Sequence, residues 1–133
     1  MKKILIAYDG SEPARRALRT GAELARRYGS EVGVVGVAGD AAGKRPDDPK
    51  GPASARAADL YDARRQLAKL GITATTHQLS GPAGPRIVAV AEEFGYDTIV
   101  VGPRGMGFLG RALLGSVSEY VANHATVTVV VAR

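Results

Sequence analysis

"KKILIAYDGSEPARRALRTGAELARRYGSEVGVVGV", residues 2–37, holds one complete unit of the fold. A short apolar run, 2–8, reads as a strand. Asp9-Gly10-Ser11 ends it, and Ser11 suits the N-cap of a helix reaching about Tyr28. In that helix Ala14, Ala17, Leu18, Gly21, Ala25 and Tyr28 recur three and four apart, the spacing of one buried face. Arg15, Arg16, Arg19, Arg26 and Arg27 lie off it, as a solvated outer face does. A second apolar run, 31–37, follows.

The same alternation continues downstream. Residues 38–55 are rich in Gly, Pro, Asp and Lys and read as a long loop, either a lid or disordered. A helix is expected over 56–70, with Leu60, Tyr61 and Leu67 inward and Gly71 at its end. Residues 72–79 alternate like a strand, and "GPAGP" (81–85) reads as a turn. A helix over 86–94 places Ile87, Val90, Ala91 and Phe94 on one face and stops at Gly95. Residues 97–102 form a strand, 116–124 a helix, and 126–132 the last strand. Five strands alternating with four helices predict an α/β fold: one doubly wound domain over 1–133, with a parallel sheet and helices on both faces. Near-continuous Val, Ile and Leu in the strands agrees with burial on both sides. Such sheets bind ligands beyond the carboxyl ends of their strands, where the strand order reverses.

Composition removes several function classes. The chain has 133 residues, 45% hydrophobic and 23% charged. No apolar run is long enough to span a membrane, and Met1-Lys2-Lys3 before so short a run is not a signal peptide. The expected location is the cytoplasm. With no Cys there is neither a disulfide frame nor a thiolate metal site. His77, in the third strand, and His124, at a helix end, read as structural rather than as ligands. The formal charge is +5, yet no arginine–aromatic interleaving, helix-turn-helix or RNA-binding signature accompanies it, so nucleic acid is not the expected partner.

The segment "VVGPRGMGFLGRALLGSVSEY" (100–120) carries five glycines between Gly102 and Gly115. Three nucleotide patterns compete for it. "GMGFLG" (105–110) fits the dinucleotide fingerprint, but it precedes the last strand, which ends at Arg133 with no acid for a ribose. "GMGFLGRA" resembles a phosphate-binding P-loop with Arg111 and Ala112 where Lys and Ser/Thr belong, which removes the chemistry of that motif. The wider spacing fits in full: Gly102, two residues, Gly105, nine residues, then Gly115-Ser116. Gly102 and Gly105 leave backbone N–H groups open to a phosphate chain. Gly115 brings the chain back to a helix whose first N–H groups and positive dipole end form an anion site. Ser116 and Ser118 offer hydroxyl donors, and Arg104, ahead of Arg111, offers charge. The plainer alternative is a capping box, Ser116-Val117-Ser118-Glu119, which accounts for Ser116 but not for the glycines.

With that spacing the chain resembles the universal stress protein family, in its ATP-binding, UspA-like branch. The resemblance runs through "ILIAYDGSEPARRAL" (4–18), "GPAGPRIVAVAEEFGYDTIVVG" (81–102) and "LLGSVSEYVANHATVTVVVAR" (113–133). It implies strand order 3-2-1-4-5 and ATP carried with Mg2+. It also implies Asp9 beside the adenosine, next to Gly10, with Ala7 and Val37 walling the adenine and Val117 in the first turn of the phosphate helix. Asp9 also has a simpler reading, as a turn residue before the Ser11 cap. Pro103 departs from the usual donor residue after the first glycine and removes one N–H. The resemblance implies a stress-response or signalling module whose ATP hydrolysis is slow or absent. No general base or Ser-His-Asp set stands out in the sequence. Two other readings remain: a nucleotide-independent interaction module of the same fold, and an adenine α-hydrolase type of enzyme, for which 133 residues leave little room. An uncharged last strand, 126–132, at a sheet edge points to a homodimer formed through it.

Overall fold

A computed structural model describes residues 1–39, 51–103 and 114–133. The elements follow in the order β1 (Lys3–Ala7), α1 (Glu12–Tyr28), β2 (Glu31–Ala38), α2 (Pro52–Lys69), β3 (Ala74–Ser80), α3 (Ala83–Phe94), β4 (Thr98–Val101), α4 (Ser116–His124) and β5 (Thr128–Val131). All described pairings are parallel, in the order β3-β2-β1-β4-β5. The expected architecture and strand order are therefore present. The order reverses between β1 and β4: the chain builds outward through β2 and β3, then returns to the other side of β1.

The sheet divides the core in two. Successive strand residues point to opposite faces. Ile4 and Ile6 pack with Ala17, Leu18 and Ala22 of α1 and with Leu60, Ala63 and Leu67 of α2. Leu5, Val35 and Ile99 pack on the other side with Ile87, Val90 and Ala91 of α3 and Val121 of α4. This is why β1 is apolar at every position: Ile4, Leu5 and Ile6 are each fully buried, on alternate faces.

One close approach fixes the α3–β4 junction. A Cβ on Gly33 would overlap the hydroxyl of Tyr96. Glycine in β2 lets the Tyr96 ring lie on the strand. Its hydroxyl then meets His77 Nε2 at 2.7 Å, tying edge strand β3 to this junction.

Several expectations need correction. Helix α2 begins at Pro52, four residues before the predicted start, because proline is preorganised for a first helical turn. Helix α3 begins at Ala83, inside the predicted turn, with Pro85 in the first turn, where an N–H has no helical partner anyway. Tyr28, Tyr61 and Phe94, expected inward, are 61%, 64% and 45% exposed. In α2 the inward stripe is Leu60, Ala63 and Leu67, which turns Tyr61 outward, where Arg65 sits over its ring. Phe94 lies in the last turn of α3 and covers His77, ring centroids 4.7 Å apart.

Candidate functional site

A cleft of about 350 Å³ opens beyond the carboxyl ends of β1 and β4, at the reversal of strand order. That volume falls in the range of small-molecule sites. Ala7, Asp9, Val37, Gly102, Gly115, Ser116, Val117 and Ser118, all singled out from the sequence, line it together. Gly10 does not line it. Arg104 and Gly105 lie outside the described residues, as does most of the 38–55 loop.

One side of the cleft is built by the start of α4. Its N-cap is Gly115, not Ser116, and among the described residues no side-chain hydrogen bond caps the helix. This corrects the capping-box alternative. The N–H groups of Ser116, Val117 and Ser118 therefore open the helix without the side-chain acceptor that usually meets them. Ser116 is exposed, and Val117 is 37% exposed. Ser118 is buried, and its hydroxyl donates to Pro103 O at 2.6 Å, with Gly115 O nearby at 3.1 Å. The Gly115 N–H also bonds Pro103 O. These contacts tie the two ends of the glycine segment into a neck. They also occupy the Ser118 proton, whereas the Ser116 hydroxyl makes no hydrogen bond among the described residues.

Gly102 has a structural role besides. A Cβ there would sit 2.8 Å from the backbone C and O of Pro13, at the start of α1. Glycine lets β4 end against that helix. Gly10 has φ +80°, the left-handed region, so its place in the turn also demands glycine.

At the other end, Asp9 Oδ1 accepts from the Ser11 N–H at 3.0 Å, the turn role weighed from the sequence. Its second oxygen bonds no described residue. Ser11 in turn accepts from Ala14 N–H as the α1 cap. Tyr8 is buried and donates to Asp62 Oδ2 at 3.1 Å; burial, then that carboxylate, pushes its phenol upward. Asp59 lies beside Gly10, and burial raises its pKa, with Asp9 and Asp62 adding to the rise. Arg56 opposes that rise from 3.0 Å away, at ion-pair distance. Asp59 Oδ2 nonetheless accepts no well-directed hydrogen bond among the described residues.

Arg56, Ala83 and Ile87 also line the cleft, and sequence reasoning did not assign them to it. Arg56 was read as the first residue of a helix. The missed signal is its place four residues before Leu60, where the buried stripe calls for an apolar residue. Among the described residues no three His, Asp or Glu side chains are grouped to hold a metal. None of the described helices is long and apolar enough to cross a membrane.

The chain is a doubly wound α/β protein whose switch-point cleft is lined by the N-terminus of a helix. More specifically, the chain belongs to the universal stress protein family, whose sequence model matches residues 1–133. It is 28% identical over 145 residues to the universal stress protein YxiE of Bacillus subtilis, covering 98% of both chains. It is 31% identical over 139 residues to a universal stress protein of Thermus aquaticus, covering 99% of this chain and 98% of that one. Among solved structures, the universal stress protein of Archaeoglobus fulgidus in complex with dAMP superposes with a TM-score of 0.78 at 27% identity, covering 100% of this chain and 98% of that one.

Proposed function

We propose that this protein binds an adenine nucleotide, ATP with Mg2+, in the switch-point cleft, and acts as a nucleotide-dependent stress-response or signalling module. The observation that carries this is the N-terminus of α4, uncapped by any described side chain and lining the cleft. Its backbone N–H groups suit phosphate oxygens. Asp9, one of whose oxygens bonds no described residue, suits ribose hydroxyls and not phosphates. The dAMP held by the Archaeoglobus relative supports an adenine nucleotide as the ligand class. Mg2+ is proposed as the companion of the phosphates. Arg104 and Gly105 belong to the proposed phosphate contacts through the sequence spacing alone.

The test begins with the purified protein. Denaturing it should release adenine nucleotide, or added ATP with Mg2+ should raise its melting temperature by mass action. Gly115→Val should abolish that shift by filling the phosphate path. ATP turnover by the protein alone should fall far below the enzyme median of about 10 s⁻¹. A second reading has an observation behind it: Gly102 and Ser118 both serve the fold without a ligand. If saturating ATP changes neither the melting temperature nor the heat of titration, the cleft is no nucleotide site and the protein is a nucleotide-independent interaction module.

A further inference from the structure

We propose that Arg56 is a base-recognising residue of the cleft, its guanidinium covering one face of a bound purine opposite Val37, Ala83 and Ile87. The inference rests on the nucleotide reading above and assigns a group at its base end. Arg56 continues the buried stripe of α2, standing four, seven and eleven residues before Leu60, Ala63 and Leu67. Those three pack against the sheet. One turn earlier the stripe reaches the carboxyl edge of the strands, and Arg56 lines the cleft instead. Its side chain is only 23% exposed, and Asp59 holds it at 3.0 Å, restricting its freedom before any ligand arrives.

The opposite wall belongs to the other layer. Val37, Ala83 and Ile87 pack with the α3–α4 side of the core, whereas α2 packs with α1 on the far side of the sheet. A planar ring entering beyond the strand ends meets an apolar surface on one face and a delocalised cation on the other. A guanidinium is itself planar and weakly hydrated, and it stacks on aromatic rings. The start of α4 is tied to Pro103, just beyond the end of β4, while α2 packs on β2 and β3. Arg56 is thus separated from the phosphate end and suited to the base.

Calorimetric titration of the full chain with AMP, CMP and tripolyphosphate tests this. Arg56→Ala should weaken AMP binding about tenfold, the scale of a partly desolvated cation–π contact. It should also narrow the preference for AMP over CMP, since a bicyclic base offers more face to cover. Tripolyphosphate binding should stay within about twofold, reporting an intact α4 site. Arg56→Lys keeps the charge beside Asp59 but loses the plane, so it should bind AMP nearly as weakly as Arg56→Ala. AMP binding unchanged in both variants overturns the role of Arg56 and leaves the nucleotide reading standing. A wild-type protein that binds tripolyphosphate but not AMP overturns the base end alone. A wild-type protein that binds neither removes the nucleotide site itself.

Discussion

At Gly33 a hydrogen in place of a methyl group decides how Tyr96 lies on the sheet. Gly33→Ala forces the phenol off β2 and is expected to cost about 1–3 kcal/mol, the range of core overpacking, by urea denaturation. The displaced hydroxyl is also the partner of His77. Burial lowers the pKa of His77, the charge of Lys3 lowers it further, and Glu93 opposes them. The folded state thus favours the neutral ring, whose Nε2 shares a hydrogen bond with the Tyr96 hydroxyl. A lowered histidine contributes stability that is full above its unfolded pKa of about 6.5 and is lost as pH falls toward the folded value. The melting temperature should therefore drop on going from pH 8 to pH 5.5, and His77→Gln should flatten that dependence. An equal drop in the variant assigns the slope to other groups.

The helices show how one sequence feature serves two ends. Ser116 and Ser118 are two residues apart in α4 but differ in what they hold. Ser118 bonds Pro103 O across the neck of the glycine segment. Ser118→Ala should lower the stability of the nucleotide-free protein by about 1 kcal/mol, with Pro103 O still accepting from the Gly115 N–H. Ser116 caps nothing, so Ser116→Ala should leave that stability unchanged. Its effect should fall on ATP affinity, by about 1.5–3 kcal/mol for a bond to a charged phosphate. Paired melting and titration curves separate the two. If Ser116→Ala destabilises the free protein and spares binding, its role is structural.

For the whole molecule the open question is the edge of the sheet. β5 lies outermost, beside β4, and carries no charge. We propose that it pairs with the same strand of a second copy, antiparallel about a two-fold axis, since an uncharged Val-rich edge is a template for pairing. The strand is shorter than predicted, Thr128–Val131 rather than 126–132. The Ala132 N–H points inward, to Val101 O at 2.8 Å, so the N–H of Val131 points to the outer edge. Val131→Pro removes that outer donor without breaking the β4 ladder. Light scattering should show a dimer for the wild type and a monomer for the variant, with ATP binding retained. A monomeric wild type at micromolar concentration refutes the dimer.

The sequence alone determined the order of elements and the parallel sheet, because local signals carry both. The run Ile4–Ile6, the Ser11 cap and the α1 stripe are written in adjacent residues. The glycine spacing from Gly102 to Gly115 marked one end of the cleft for the same reason. Boundaries blurred where proline stands in the first turn of a helix, at Pro52 and Pro85, since the same residue also makes loops. What only the tertiary structure decided depends on residues distant in the chain. Gly102 is fixed by Pro13, Gly33 by Tyr96, and Ser118 by Pro103. In the sequence Arg56 is only the first residue of an expected helix; in the fold it lines the cleft beyond the strand ends. Whether an inward residue meets strand or cleft is set by where strands of another segment stop, and no local pattern records that.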